Sequence, residues 1–325
     1  MAAKWHTFFD GIFLYGTALG AGANNKGTIF KIKPDGTGFI KLLDFDGASK
    51  GSWPFCSFIF DGTFLYGTTY YGGTNDLGVI FKIMPDGTNY TKLFDCDSLN
   101  GRNPYGSLIY DGTFLYGMTY KGGVYDKGVI FKLMPDGTNY SKLLDFNGAN
   151  GQFPWYTSLL KKGSFLYGMT WSGGANGQGV LFKIKTDGTG YSNLYDFTVG
   201  EGRNPMGSLI SDSSFLYGMA RNGGINENGT IFKFQDTTTT QITENNQEVC
   251  YDIYPNPSFG IFTIIHANNF KNIEVHNVLG EDIFHLIPNH DQTTIEINIT
   301  NVPKGIYFVK LDNGVQSHIK KLIIN

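Results

Sequence analysis

The 325-residue sequence predicts an all-β protein: a five-bladed β-propeller-like repeat domain over residues 1–235, a linker over 236–250, and a small immunoglobulin-like β-sandwich over 251–325. Three observations predict it. The tripeptide Leu-Tyr-Gly begins at Leu14, Leu65, Leu115, Leu166 and Leu216, at spacings of 51, 50, 51 and 50, a period typical of propellers and arrays. The chain is 15% aromatic and only 16% charged, with 44 glycines, which suits short strands and tight turns better than helices. After Phe234 the repeat pattern stops, and a Thr/Asn/Gln-rich stretch leads into a segment of different periodicity.

The second copy, SFIFDGTFLYGTTYYGGTNDLGVIFKIMPDGTNYTKLFDC, sets the pattern. Strands are expected at Ser57–Phe60, Thr63–Tyr70, Gly78–Met84 and Tyr90–Cys96. Asp61-Gly62 and Pro85-Asp86-Gly87 supply the turns, and 71–77 forms a Gly-rich loop. Asp-Gly between alternating apolar runs is a strong hairpin signal, and Pro presets φ at the second turn. Runs such as VIFKI are apolar on both faces, as in a sheet covered on both sides. A four-stranded unit between identical neighbours is a propeller blade; an open array and a larger propeller are the competing arrangements. The fifth copy loses the Pro-Asp-Gly turn and the fourth strand, which suits either a terminal cap or a ring closed by strand exchange.

These in-register motifs, LYGTTYYGG through GVIFKIMPDGT, resemble the Gloeo/Verruco (GloVer) tandem repeat family of bacterial secreted proteins over residues 5–235. The resemblance implies a propeller-like fold and leaves the biochemical role open.

In the C-terminal segment, apolar or alternating runs at 260–265, 273–278, 283–286, 294–299, 305–311 and 318–324 predict a small sandwich. Four motifs follow in order: Pro255-Asn256-Pro257 with Gly260; Val278-Leu279-Gly280; Pro303-Lys304-Gly305-Ile306-Tyr307; and Lys320-Lys321-Leu322. Together they resemble the type A C-terminal sorting domain of the type IX (Por) secretion system. The resemblance implies recognition by an outer-membrane translocon and a secreted or outer-surface destination. The residues carrying it can equally be fold determinants, with Gly305 expected to supply backbone freedom at a turn.

Net charge is −3, and Lys and Arg are scattered singly, so nothing suggests a nucleic-acid partner. No run approaches the ~18 apolar residues of a transmembrane span. The N-terminus, MAAKWHTFFDG, has no basic segment leading into an apolar one, so a signal peptide, if the protein has one, is expected outside this sequence. Cys56, Cys96 and Cys250 form no CxxC pair, which argues against a disulfide framework or a zinc site. Cys96 replaces the Phe of the other copies and is expected to be buried.

The repeats contain a single histidine, His6, so neither a His-based triad nor a His metal site has raw material. No metal or cofactor is expected, and the loops lack the dense spaced acids of a calcium site. Asp44, Asp95, Asp145 and Asp196 recur at one position and read as structural, with Lys31, Lys82, Lys132, Lys183 and Lys233 as candidate partners. The position before the Gly-rich loop is more suggestive: Leu19, Tyr70, Tyr120, Trp171 and Arg221. The loops carry Asn25, Asp76, Asp126 and Glu227, with Gly177 in the fourth copy, and Arg102 and Arg203 lie nearby. Aromatic faces beside such groups suit sugar rings; packing between blades is the alternative. The sequence reading is therefore an exported glycan or surface-ligand binder with sites at Tyr70, Tyr120, Trp171, Asp76 and Asp126. Its rivals are a carboxylate-dependent glycan-active enzyme, for which Asp46, Asp97 and Glu201 would have to converge, and a structural or adhesive repeat.

Overall fold

The computed structural model describes residues 7–212, 214–236, 252–265, 270–278, 280–289, 292–314 and 317–325. His6, Cys250, Leu279 and most of the expected linker lie outside them. Every regular element among the described residues is a β-strand. Contacts divide the chain into one unit over 1–238 and another over 239–325.

Each of the first four copies forms its own antiparallel sheet, with its four main strands in sequence order. In the second copy these are Ile59–Phe60, Leu65–Thr69, Val79–Ile83 and Thr91–Asp95. Leu65 pairs with Ile83 and Gly67 with Phe81. A register shift falls between Ile80 and Phe81, and the same shift recurs at Ile29/Phe30, Ile130/Phe131 and Leu181/Phe182. The local sequence thus fixes strand, turn and bulge alike in every complete copy. Among the described residues the fifth sheet has three strands, Arg203–Ser211, Leu216–Asn222 and Thr230–Phe234.

Alternation along each strand gives the sheet two apolar faces, and neighbouring sheets bury them against each other. Tyr15 and Ile29 pack on Leu65, Val79, Phe81 and Ile83. The pattern repeats between the second and third, third and fourth, and fourth and fifth sheets. This is propeller-like stacking. No core cluster joins the fifth sheet to the first among the described residues, and Ile231 on the fifth is 82% exposed where its equivalents Ile29, Ile80, Ile130 and Leu181 are at 0%. Among the described residues, then, no packing closes the five sheets into a ring and no strand is exchanged, the first copy's described strands all lying in the first sheet.

Recurrent glycine and proline set the spacing of the sheets. Gly78, at φ +102°, precedes the third strand of its copy, and a Cβ there would sit 2.7 Å from Pro104 of the next. Pro54, Pro154 and Pro205 stand in the same relation to Gly27, Gly128 and Gly179.

The C-terminal unit has two antiparallel sheets, one of three strands (Asp252–Tyr254, Ile261–Ile265, Thr294–Asn298) and one of four (Asn272–Asn277, Asp282–Leu286, Gly305–Asp312, Ser317–Ile324). They share one core in which Phe262, Ile264, Ile297, Val275, Val309 and Leu322 are inaccessible to solvent. Its first strand, Asp252–Tyr254, is too short for alternation to announce it.

Candidate ligand-binding face

The Gly-rich loops come first because they position everything around them. Asn25, Asp76, Asp126 and Glu227 all hold φ between +52° and +56°, and Gly177 occupies the same place at φ +69°. Asn, Asp and Gly tolerate this left-handed conformation best, which gives these residue types a backbone reason to recur. The carboxylates also close the loop: Gly72 N–H donates to Asp76 Oδ1 (2.8 Å) and Gly122 N–H to Asp126 Oδ1 (2.9 Å). Asp126 is further gripped by Arg102, whose Nε and Nη2 reach its two oxygens at 3.1 and 2.9 Å. The guanidinium holds the Asp126 carboxyl below the usual carboxylate range. Arg203 and Glu227 repeat the pair at 3.0 Å.

The recurrent strand Asp tethers the same loop from the other side. Asp44, Asp95, Asp145 and Asp196 accept from the loop amides of Ala23, Thr74, Val124 and Ala175 at 2.8–3.3 Å. Their ion-pair partners are Lys41, Lys92 and Lys142 in the first three copies, not the Lys31 series expected from sequence. Those lysines instead reach the next copy's turn: Lys31 donates to the Pro85 carbonyl (3.1 Å), Lys82 to that of Pro135 (3.1 Å) and Lys132 to that of Thr186 (3.3 Å). Lys183 pairs with buried Asp236 at 2.8 Å. Strand alternation explains the correction, since the third-strand lysine points at the following sheet.

The aromatics before the loops do not occupy separate, matching pockets. Tyr70, Tyr120 and Trp171 are half-buried and joined into one cluster by the residue after each recurrent Pro. Tyr70 meets Phe55 and Tyr105 at centroid distances of 5.8 and 5.3 Å, and burial pushes its phenol up to about 12. Phe55 stacks on Tyr105 at 4.4 Å, and Tyr105 meets Trp155 at 6.0 Å. Trp155 contacts both Tyr120 (6.1 Å) and Trp171 (5.0 Å). The Arg221 guanidinium lies 5.6 Å from the Trp171 ring centre.

Two exposed rings extend this cluster: Trp53 is 40% and Tyr71 38% exposed. Trp53 lies edge-on to Tyr71 at 5.6 Å, and Tyr71 meets Tyr70 at 4.5 Å. Trp53 and Phe153 also hold φ of +59° and +53°, where copies three and five place Asn103 and Asn204. Those asparagines suit the left-handed backbone and donate to the Tyr70 and Trp171 carbonyls at 2.9 and 3.0 Å. A bulky ring there costs about 1–2 kcal/mol. Sequence reasoning missed Trp53, Phe55, Tyr71, Trp155 and this strain; the aromatic residues flanking the recurrent Pro were the available signal.

The acids that hydrolysis would need are committed to their own loops. Asp46 accepts from the Ser49 and Lys50 amides at 2.9 and 2.8 Å. Asp97 accepts from the Leu99 and Asn100 amides at 2.8 and 2.6 Å, and Glu201 bonds Tyr195 and Thr198. Cys56 is buried and exchanges hydrogen bonds with the Thr68 backbone; Cys96 is buried as expected.

In the C-terminal unit the motif residues do structural work. Asn256 clamps the last strand, donating from Nδ2 to the Lys321 carbonyl (2.7 Å) and accepting at Oδ1 from Ile323 N–H (3.0 Å). Pro255 and Pro257 flank it, each after a cis peptide bond. Gly260 is at φ +96°, where a Cβ would lie 2.6 Å from Thr300 Cα. Gly280 is at φ +81° with open space around it, while Gly305 is near extended at φ +158°. Tyr307 is buried, and its hydroxyl donates to the Pro303 carbonyl (2.7 Å). Lys321 is exposed and Lys320 half-buried on the last strand. Glu274, His276 and Asp282 gather three metal-capable side chains, but Lys310 already neutralises Glu274 at 2.9 Å.

The model of the Gloeobacter/Verrucomicrobia repeat matches residues 9–114 and 110–252, and that of the secretion system C-terminal sorting domain matches 252–325. No curated protein sequence matches the chain. Among solved structures, PorZ, a surface component of the type IX secretion system of Porphyromonas gingivalis, is 13% identical with a TM-score of 0.37, over 98% of this chain and 51% of its own. TolB from Acinetobacter baumannii is 12% identical at 0.44, over 97% and 64%. A putative 6-phosphogluconolactonase from Bacteroides uniformis is 16% identical at 0.42, over 89% and 86%. The chain thus spans about half the length of the first. No helix among the described residues is long and apolar enough to cross a membrane.

Proposed function

The chain belongs to the Gloeobacter/Verrucomicrobia repeat family and ends in a type IX sorting domain that sends it to the outer surface or extracellular space, and on that premise we propose that its repeat domain binds glycan. The observation carrying this reading is the aromatic face that begins at Trp53 and Tyr71 and continues through Tyr70, Phe55, Tyr105 and Trp155 to Tyr120 and Trp171. Flat apolar rings stack on sugar faces, and a Trp kept exposed in a strained backbone is the pattern expected of function rather than packing. Asp76 and Asp126 contribute indirectly by fixing the loops beside the rings. The engagement of Asp46, Asp97 and Glu201 within separate turns favours binding over hydrolysis.

A glycan array probed with the whole chain and its Trp53→Asn variant tests the proposal. Binding to one glycan class by the wild type, lost in the variant, is expected. The reading fails if no glycan binds, or if the variant binds as well as the wild type.

A further inference from the structure

The aromatic face carries a charge pattern that ring stacking alone does not require. In copies two to five the residue before the Gly-rich loop is Tyr70, Tyr120, Trp171 and Arg221, and the next is Tyr71, Lys121, Ser172 and Asn222. At these two positions cations appear only from the third copy onward, and each lies beside a ring. Lys121 Nζ is 5.5 Å from the centre of Tyr120, and the Arg221 guanidinium is 5.6 Å from that of Trp171. Both rings meet Trp155, at 6.1 and 5.0 Å, so the two cations border a single aromatic trio.

The acids around them are already paired. Arg102 grips both oxygens of Asp126, and Arg203 pairs with Glu227; Lys121 acts on Asp126 only from beyond ion-pair distance. The fourth copy has neither member of such a pair. Gln152 stands in place of the arginine and Gly177 in place of the acid, and Gln152 Nε2 donates to Ser172 Oγ at 3.2 Å. Among the described residues, Lys121 and Arg221 form no ion pair. The second copy shows the reverse: it keeps the acid, Asp76, but has Ser52 where the arginine would be. Charge along the face therefore runs from acidic in the loop after Tyr71 to basic beside Trp171.

A cation resting on a ring face keeps its outward N–H donors for a ligand, and the fork of an arginine matches the oxygens of a carboxylate or sulfate. Given the glycan reading above, we infer that the glycan is anionic: Lys121 and Arg221 hold its carboxylate or sulfate groups, while its uncharged ring faces stack toward Tyr71 and Trp53. A neutral sugar could also accept hydrogen bonds from these cations, but only an anionic one binds less tightly as salt rises.

The test probes the whole chain on an array of neutral, uronate-bearing and sulfated glycans, then titrates the best binder over a salt series. Only anionic glycans should bind, with affinity falling as salt rises; the uronate and sulfated arms show which group is held. Arg221→Gln and Lys121→Gln should each weaken binding about tenfold, the usual scale for a hydrogen bond to a charged group, and Arg221→Lys should weaken it less. Circular dichroism and melting check that the variants fold, and the salt series needs no variant. A neutral glycan that binds, and is lost in Trp53→Asn, overturns the anionic assignment and leaves the glycan reading standing. An anionic glycan whose affinity ignores salt and both Gln variants overturns it too. No binding to any glycan ends both.

Discussion

The repeat domain and the sorting domain bury sheet faces in opposite ways. In the repeats, apolar surface is divided among four separate clusters, each between two neighbouring sheets. In the sorting domain, both sheets close on one cluster running from Ile253 to Ile324. Stability in the first is a sum of neighbour terms; in the second it is gained or lost as a whole. Position follows the same division. A side chain in the repeats answers to the next copy, as the lysine series does, whereas Asn256 in the sorting domain answers to the far end of its own chain.

The largest test of this contrast compares two phenylalanines almost without exposure, Phe262 at 0% and Phe131 at 1%. Replacing either with Ala removes about 3–5 kcal/mol of packing. In urea, Phe262→Ala should abolish the folded sorting domain in one step, because about 5 kcal/mol is a large part of a small domain's stability. Phe131→Ala should instead broaden the repeat transition, with amide exchange quickening in the second and third sheets first. A repeat transition that shifts without broadening would break the contrast.

A smaller but more local effect is expected at the junction of the fourth and fifth sheets. Asp236 accepts from Tyr167 at 2.7 Å and pairs with Lys183, the two ionised side chains being 9% and 5% exposed. In the first three copies the equivalent tyrosine bonds the turn Asp of its own sheet, as Tyr66 does Asp61 at 2.6 Å. The fourth copy has Lys162 at that turn, and Asp236, just past the last strand of the fifth sheet, supplies the carboxylate instead. Asp236→Ala leaves a buried ammonium alone and should cost about 3 kcal/mol. Exchange protection should fall at Tyr167 and Leu216 and hold at Tyr15 and Leu65; uniform loss would argue against neighbour-limited stability.

This junction also marks how far the sequence was legible. Repetition makes strands, turns and loop acids readable, since each position is sampled in successive copies. It also showed that the fifth copy departs from the others after Phe234, and its described residues form three strands. It hid relations that cross between copies: sequence register alone suggests that Lys31 faces Asp44, whereas alternation turns it toward Pro85. Ring closure depends on the angle between sheets, which no local motif encodes. In the candidate site, Tyr70, Tyr120 and Trp171 stood out by register, but Phe55, Tyr105 and Trp155 join them across copies and lie on a different stretch of each repeat. In the sorting domain, ordered motifs identified the unit, while the clamp of Asn256 on the last strand spans more than sixty intervening residues and left no local trace.

Strain separates the two regions as well. Every non-glycine residue with positive φ among the described residues lies in the repeats. Trp53→Asn places at φ +59° a residue type that tolerates it, as at Asn103. Thermal unfolding should show a stabilisation of about 1 kcal/mol, coupled to the loss of glycan binding proposed above. A destabilised variant would mean that the Trp53 ring contributes more to packing than its backbone costs.

The smallest effect is electrostatic, and its sign is fixed. Arg102 holds the Asp126 carboxyl below its usual range, so their pair stabilises the fold when pH is above the unfolded value of about 3.9. The contribution fades as pH falls through the lower folded value. Both side chains are solvent-accessible, 27% and 56%, so Arg102→Ala should cost less than about 1 kcal/mol near neutral pH, and less again in high salt. Once Asp126 is protonated in acid, wild type and variant should converge. The sorting domain has a pair of the same sign, Lys310 holding Glu274 below its usual range, and it should be untouched by this variant. If Arg102→Ala moves the sorting-domain transition, or if its effect on the repeats grows toward low pH, the two regions are not independent in the way their separate cores require.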